Sequence, residues 1–164
     1  QLFHPIKPML AGRMTLKQIY STFDVVEVLI ETKYDGERIQ CHKERDEVKF
    51  FTRNAIDYTY LYGKKLTKFI LESVNAKSCI LDGEVIVWDK VNNKIAPFGE
   101  NKTIANSDES EKQICFMIFD IIYLISPRGE EYTLNQATLF ERKQILSKIV
   151  NPIPNRIEIV NYIE

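Results

Sequence analysis

The chain has 164 residues, 45% of them hydrophobic and 27% charged; that supports one core of ordinary domain size and excludes intrinsic disorder. Twenty-two basic residues against twenty-three acidic ones leave a formal net charge of -1, so composition alone carries no nucleic-acid footprint. No apolar run approaches the ~18 residues that a membrane-spanning helix needs.

Taken in chain order, Thr15 to Phe23 predicts at most a short helix. Val25 to Thr32 is rich in β-branched residues and predicts a strand that ends at Lys33. Gly36 to Lys43 resumes the strand pattern after the turn Tyr34-Asp35-Gly36, and Val48 to Arg53 reads as its hairpin partner across Glu44 to Glu47. Gly63 to Ala76 carries Leu66, Phe69, Ile70 and Val74 at helical spacing. Ser78 to Asp89 predicts a long strand broken at Gly83, a bulge or a point of close backbone approach, and Val91 to Lys94 its turn. Gly99 to Lys112 is polar, lacks apolar periodicity and reads as an exposed loop. Ile114 to Ile125 is apolar on both faces and predicts a central strand. Thr138 and Glu141 form a capping-box pattern at the head of a helix that Asn151-Pro152 stops. Ile157 to Tyr162 predicts a last short strand. Strands and helices without regular alternation define an α+β fold with largely antiparallel sheets and flanking helices.

Cys41, Cys79 and Cys115 stand alone, without CxxC spacing. That argues against a disulfide framework and a zinc site, and suits a reducing compartment. His4 and His42 are far apart and imply no metal geometry. The chain opens on Gln1 rather than Met, and reads as a piece of a larger one.

Chemistry concentrates in Lys33-Tyr34-Asp35-Gly36-Glu37-Arg38. A lysine where a strand meets a turn lies at the rim of a sheet. The bland reading is a turn flanked by surface charges, since Asp-Gly is a common turn pair. Lys-x-Asp-Gly arises by chance in roughly a few per cent of chains this long, and the added Arg38 lowers that about twentyfold. A lysine used as a nucleophile must first lose its proton. An unperturbed lysine is neutral in fewer than about one molecule in a thousand at neutral pH, and a neighbouring cation such as Arg38 or a metal favours the neutral amine. Arg38 is also suited to two-point contact with phosphate or sugar oxygens.

The segment resembles motif I of the covalent nucleotidyltransferases, which include ATP-dependent DNA ligases, RNA ligases and mRNA-capping enzymes. In its KYDGER form, followed by Ile39, Gln40 and His42, it is most similar to the DNA ligases. Three further blocks follow in order. Phe51-Thr52-Arg53-Asn54 resembles the family's phosphate-contacting arginine block, Leu81-Asp82-Gly83-Glu84 its motif III, and Phe119-Asp120-Ile121 the block whose aromatic stacks on adenine. Glu31-Thr32, Asp57-Tyr58-Thr59 with Gly63, and Pro152 to Val160 resemble the DNA ligase IV branch, the end-joining ligases. Tyr34 departs from the leucine common in vertebrate examples. The Glu-Gly-[Leu/Ile]-x-x-Lys of motif IV and the lysines of motif V do not occur.

The resemblance implies that residues 1–164 are the N-terminal part of an adenylation domain, from motif I to the segment before motif IV. The DNA-binding and oligonucleotide-binding-fold domains would lie outside this chain. It implies Lys33 as the catalytic nucleophile, and Glu31, Thr32, Lys33, Tyr34, Arg38, Arg53, Glu84 and Phe119 as the ATP-binding set. Within that set Glu31 and Phe119 would hold adenine, Glu84 and Arg38 the ribose side, and Arg53 a phosphate. Glu84 would also serve Mg2+. The implied partners are nicked or broken double-stranded DNA and, through regions outside this chain, end-joining scaffold proteins. The implied process is double-strand-break repair by non-homologous end joining in the nucleus, with no membrane involved. An RNA-ligase or capping-type nucleotidyltransferase, and a non-catalytic nucleotide-binding fragment, stand as alternatives.

Without the resemblance Phe119 and Arg53 lean toward ordinary structural roles, while for Glu84 a catalytic role and an edge-strand carboxylate reaching water stand equal. Phe119, among apolar neighbours, is by pattern a core residue. Glu84 shares a strand face with Ile86 and Trp88 and needs a partner or water. Asp82 reads as structural, Arg53 as a solvated charge, and Lys64, Lys65 and Lys68 as a solvated helix face. Asp120 needs a donor, such as an arginine, that the sequence does not identify.

Overall fold

The computed structural model describes residues 1–23 and 27–164. In chain order the elements are α1 (Leu16–Phe23), β1 (Ile30–Glu31), β2 (Glu37–Glu44), β3 (Glu47–Thr52), α2 (Thr59–Ser73), β4 (Ser78–Asp89), β5 (Lys94–Ile95), α3 (Asn101–Ala105), β6 (Lys112–Ile125), β7 (Glu131–Thr133), α4 (Leu139–Ile149), β8 (Ile157–Ile159) and β9 (Tyr162–Ile163). A 3-10 turn, Leu134–Gln136, leads into α4.

The main sheet runs β3-β2-β4-β6-β7, with β5 added to β4 and β8 to β6. Every pairing in it is antiparallel except β6 with β8. β4 and β6 form its centre, and the alternation of side chains sorts two faces. Ile39, Cys41, Leu81, Val85, Val87, Ile114, Phe116 and Ile118 join one large core with Leu61, Tyr62, Leu66 and Ile70 of α2 and Leu146 of α4. On the other face Ile86, Cys115, Met117 and Val160 form a smaller cluster, bordered by Tyr34, Trp88 and Phe119. α4 begins with the reciprocal capping box of Thr138 and Glu141, which satisfies two otherwise orphaned groups of its first turn.

Several expectations shift. Only Ile30–Glu31 of the Val25–Thr32 segment is strand, and Val25 and Val26 lie outside the described residues. β1 does not continue into the main sheet; it pairs with β9 in a separate two-stranded one. The terminal strand divides accordingly. Ile157–Ile159 runs parallel to β6, and Tyr162–Ile163 crosses to β1. α2 starts at Thr59, a turn earlier than the apolar spacing indicates, and ends at Ser73. The polar stretch Gly99 to Lys112 is not wholly an exposed loop. It contains α3, whose Asn101 and Ala105 are buried, and Asn101 Nδ2 donates to the Val85 carbonyl at 2.7 Å. A side-chain hydrogen bond of this kind leaves no trace in hydrophobic periodicity.

Gly83 sits where β4 and β6 slip register. The pairing steps from Asp82↔Asp120 to Gly83↔Ile118, which leaves Phe119 without a partner on β4. A Cβ at Gly83 would lie 2.5 Å from both the Met117 carbonyl oxygen and the Phe116 ring. Glycine is therefore the residue that allows the bulge, and bulges re-aim the side chain they leave over.

Candidate active site

Phe119, the residue left over at the bulge, lies on the sheet face that also carries Cys115, Met117 and Ile86, close to where β2 begins alongside β4. Arg38, the second residue of β2, lies opposite Glu84 of β4, and its guanidinium carbon stands 5.4 Å over the Phe119 ring centroid. Asp82 fixes that guanidinium at two points, accepting from Nε at 3.1 Å and Nη2 at 2.7 Å. Nη1 donates to the Met9 carbonyl at 3.0 Å. Asp82 is 4% exposed, and its burial raises its pKa, an effect that the hydrogen bonds from Arg38 oppose. The same bonds raise that of Arg38.

Lys33 follows β1 at the rim and is exposed. Gly36 carries the chain under Glu84, and its N–H donates to Glu84 Oε1 at 3.2 Å. Burial raises the Glu84 pKa, while that N–H and the charges of Lys33 and Arg38 hold it down. Glu84 thus has its partners, and the Lys33 ammonium is within electrostatic reach of it.

Tyr34 is turned away from the rim into the small apolar cluster. Burial, and then the nearby Glu158, raise its pKa. Its ring seats the turn that carries Lys33. Thr32 is exposed between Glu31 and Lys33. Glu31 pairs with the ammonium of Lys143 from α4; Oε1 is buried in an ion pair that lacks an aligned hydrogen bond. Arg53 follows Thr52, which is paired with Ile39, so it emerges at the same end of the sheet as Arg38. It is exposed and makes no ion pair among the described residues. Lys33, Arg38, Glu84 and Phe119 are therefore gathered in one place, Glu31 lies beside them on β1, and Arg53 stands at the margin.

Asp120, whose partner the sequence leaves open, is clasped by Arg142 of α4, with Nε at 2.7 Å and Nη2 at 3.1 Å. Lys143 was not singled out by sequence. The available signal was positional: it lies three residues before Leu146 and six before Ile149, in the stripe of α4 that is buried. An N-terminal strap was equally unforeseen. Phe3 and Ile6 donate their N–H groups to His42 Nδ1 and Gln40 Oε1, both at 3.0 Å, so residues 3, 6 and 9 bond successively to His42, Gln40 and Arg38 along β2.

Among the described residues no group of three or more His, Cys, Asp and Glu is arranged to hold a metal. Glu84 offers one carboxylate, with Oε1 engaged by Gly36. One carboxylate suits Mg2+ that is held mainly by nucleotide phosphates and water.

Residues 8–164 match the ATP dependent DNA ligase domain, and the chain belongs to that family. It is 37% identical over 175 residues to DNA ligase 4 of Dictyostelium discoideum, covering 97% of this chain and 16% of that protein. It is 36% identical over 167 residues to DNA ligase 4 of Homo sapiens, covering 97% of this chain and 18% of that protein. The chain thus spans about a sixth of the length of these curated relatives. Among solved structures, the ligase domain of M. tuberculosis LigD superimposes with a TM-score of 0.60 at 19% identity, over 83% of this chain and 40% of that one. A mycobacterial DNA ligase D complexed with ATP and MES gives a TM-score of 0.57 at 16% identity, over the same shares of the two chains. These likenesses place the fold among ligase domains.

Proposed function

We propose that this chain is the front part of the adenylation domain of a longer ATP-dependent DNA ligase of the end-joining type, and that Lys33 is its nucleophile. The observation that carries the reading is the convergence of Lys33, Glu84, Arg38 and Phe119 on one face of the sheet beside the start of β2, next to a bulge that Gly83 makes possible.

The deprotonated Nζ of Lys33 attacks the α-phosphorus of ATP. A phosphorus–nitrogen bond forms, the α–β bridging bond breaks, and pyrophosphate leaves with its electron pair. AMP then passes to a DNA 5′-phosphate, and the 3′-hydroxyl displaces it to seal the strand. Phe119 offers its face to adenine and Glu31 an acceptor at the base edge. Glu84, steered by Gly36, and Arg38, steered by Asp82, lie toward the ribose, with Arg53 near a phosphate. Mg2+, when bound beside Glu84, supplies charge neutralisation on the phosphate oxygens. Positioning and electrostatics provide most of the acceleration. The kinship with DNA ligase 4 supports a DNA substrate, end-joining scaffold partners and a nuclear setting as parts of this same proposal.

The test is mass spectrometry of the full-length enzyme after incubation with ATP and magnesium. An AMP adduct on Lys33, lost in both Lys33→Ala and Lys33→Arg, supports the reading. A guanidinium stays protonated and cannot attack, so an adduct at normal level in Lys33→Arg would sink it. Preference for GTP over ATP would assign the chain to the capping type instead.

A further inference from the structure

α4 turns one ammonium inward. The side chain of Lys143 is 1% exposed, and a buried ammonium persists only where oxygens meet it. Two do: the Glu31 carboxylate of β1 and the main-chain carbonyl of Phe119 in β6. The Tyr162 ring of β9 lies beneath, its centroid 5.9 Å from Nζ.

These partners come from different sheets. Glu31 belongs to the small β1–β9 sheet, two residues before Lys33. Phe119 is the residue left over at the bulge of the main sheet, and Lys143 supplies a donor to its carbonyl. One ammonium therefore ties the segment leading to the nucleophile to the residue that carries the aromatic face. Lys143 also borders a cleft of about 400 Å3 together with Tyr34, Glu158 and Tyr162.

We propose that Lys143 is a positioning residue for base recognition: it locks Glu31 and Phe119 into one geometry, so that a purine stacked on Phe119 has its edge read by Glu31. The proposal rests on the adenylation reading above. With Lys143 at one carboxylate oxygen, the other is left to face the base. An ionised carboxylate only accepts hydrogen bonds. It attracts the 6-amino group of adenine and repels the 6-oxo group of guanine. Without Lys143 the carboxylate is free to turn away, and the Phe119 carbonyl loses its donor.

Formation of lysyl-nucleotide is measured in the full-length enzyme with ATP and with GTP, alongside melting temperature. Lys143→Met keeps an unbranched side chain one atom shorter and removes its charge. It is expected to raise the KM for ATP roughly tenfold, with a smaller effect on kcat, and to narrow the preference for ATP over GTP. Lys143→Arg should restore most of both. Glu31→Gln combined with Lys143→Met should cost little more than the worse single change, because both act through one contact. Wild-type KM and preference in Lys143→Met would overturn the proposal. So would an equal loss for both nucleotides that follows a lowered melting temperature and is not restored by arginine. Where Lys143→Met fails to fold, Lys143→Arg must keep the preference and Glu31→Gln must lose it; any other pair of results also overturns it. A wild-type enzyme that forms no lysyl-nucleotide with either triphosphate refutes the adenylation reading itself, a result distinct from every Lys143 outcome.

Discussion

Asp82 holds Arg38 in a two-point fork, 3.1 Å from Nε and 2.7 Å from Nη2, and so fixes where the guanidinium stands over Phe119. Asp82→Asn replaces one acceptor oxygen by an amide NH2, a donor that faces a cation. Arg38 loses its orientation and Asp82's buried site keeps a mismatched polar group. The expected cost is about 1–3 kcal/mol of folding stability, with nucleotide use reduced roughly tenfold, or about 1.4 kcal/mol. Denaturant melts and adduct-formation kinetics measure the two. Wild-type values in both would mean that the fork orients nothing of consequence.

Phe116 and Phe119 are three residues apart and have opposite fates. Phe116 is fully buried in the main core, so Phe116→Ala should cost roughly 3–5 kcal/mol of stability. Phe119 is only half-buried, at the bulge. Phe119→Ala should cost less in stability and weaken ATP use by roughly 1–3 kcal/mol, the range of base–aromatic stacking. Thermal melts beside ATP titrations separate them. If Phe119→Ala melts as low as Phe116→Ala and binds ATP normally, Phe119 is a core residue after all.

Gly36 passes so close to β4 that an added Cβ would lie 2.2 Å from the Val85 carbonyl oxygen and 3.1 Å from Glu84 Cγ. Gly36→Ala must therefore push the turn away. That stretches the N–H bond to Glu84 and displaces Lys33, three residues earlier. Stability should fall by about 1–3 kcal/mol, and adduct formation by about a hundredfold, as expected for a misplaced reacting group. Gly12 has no atom within 4 Å of its added Cβ, so Gly12→Ala is the control and should leave both unchanged.

Much of this was legible in the sequence, for identifiable reasons. β4 matches its predicted bounds, because twelve residues of strand pattern end in clear turn signals. The Gly83 break marks the bulge, and the capping box of α4 forms between the two residues that spell it. The need of Asp120 for a partner was visible, although Arg142 could not be named, since a contact across 22 residues has no local pattern. β1 was overread because β-branched composition reports strand preference and not the neighbour it pairs with. Lys33, Arg38 and Glu84 stood out by motif. Lys143 and the strap did not, since their roles depend on which backbone carbonyls and N–H groups tertiary folding brings within reach.

His42 ties that strap down and should make its attachment depend on pH. Nδ1 accepts from the Phe3 N–H at 3.0 Å, so this nitrogen carries no proton, and Nε2 lies 3.2 Å from Gln40 Oε1. The ring is fully buried, its edge against Phe51 with centroids 5.0 Å apart. Burial first, helped by His4, lowers its pKa from 6.5 to about 4. The unfolded chain therefore binds a proton at higher pH than the folded one. The contribution of neutral His42 is complete above about pH 6.5, shrinks as pH falls toward about 4, and changes no further below that. Over that window it amounts to at most ~3 kcal/mol. His42→Gln keeps an acceptor for Phe3 and does not titrate. The melting temperature of the wild type should thus fall relative to His42→Gln between pH 6.5 and 4, and the imidazole NMR signals should titrate with a midpoint near 4. A midpoint at the ordinary value, with the two melting curves parallel across that range, would show that the ring is open to water and the strap is not held by it.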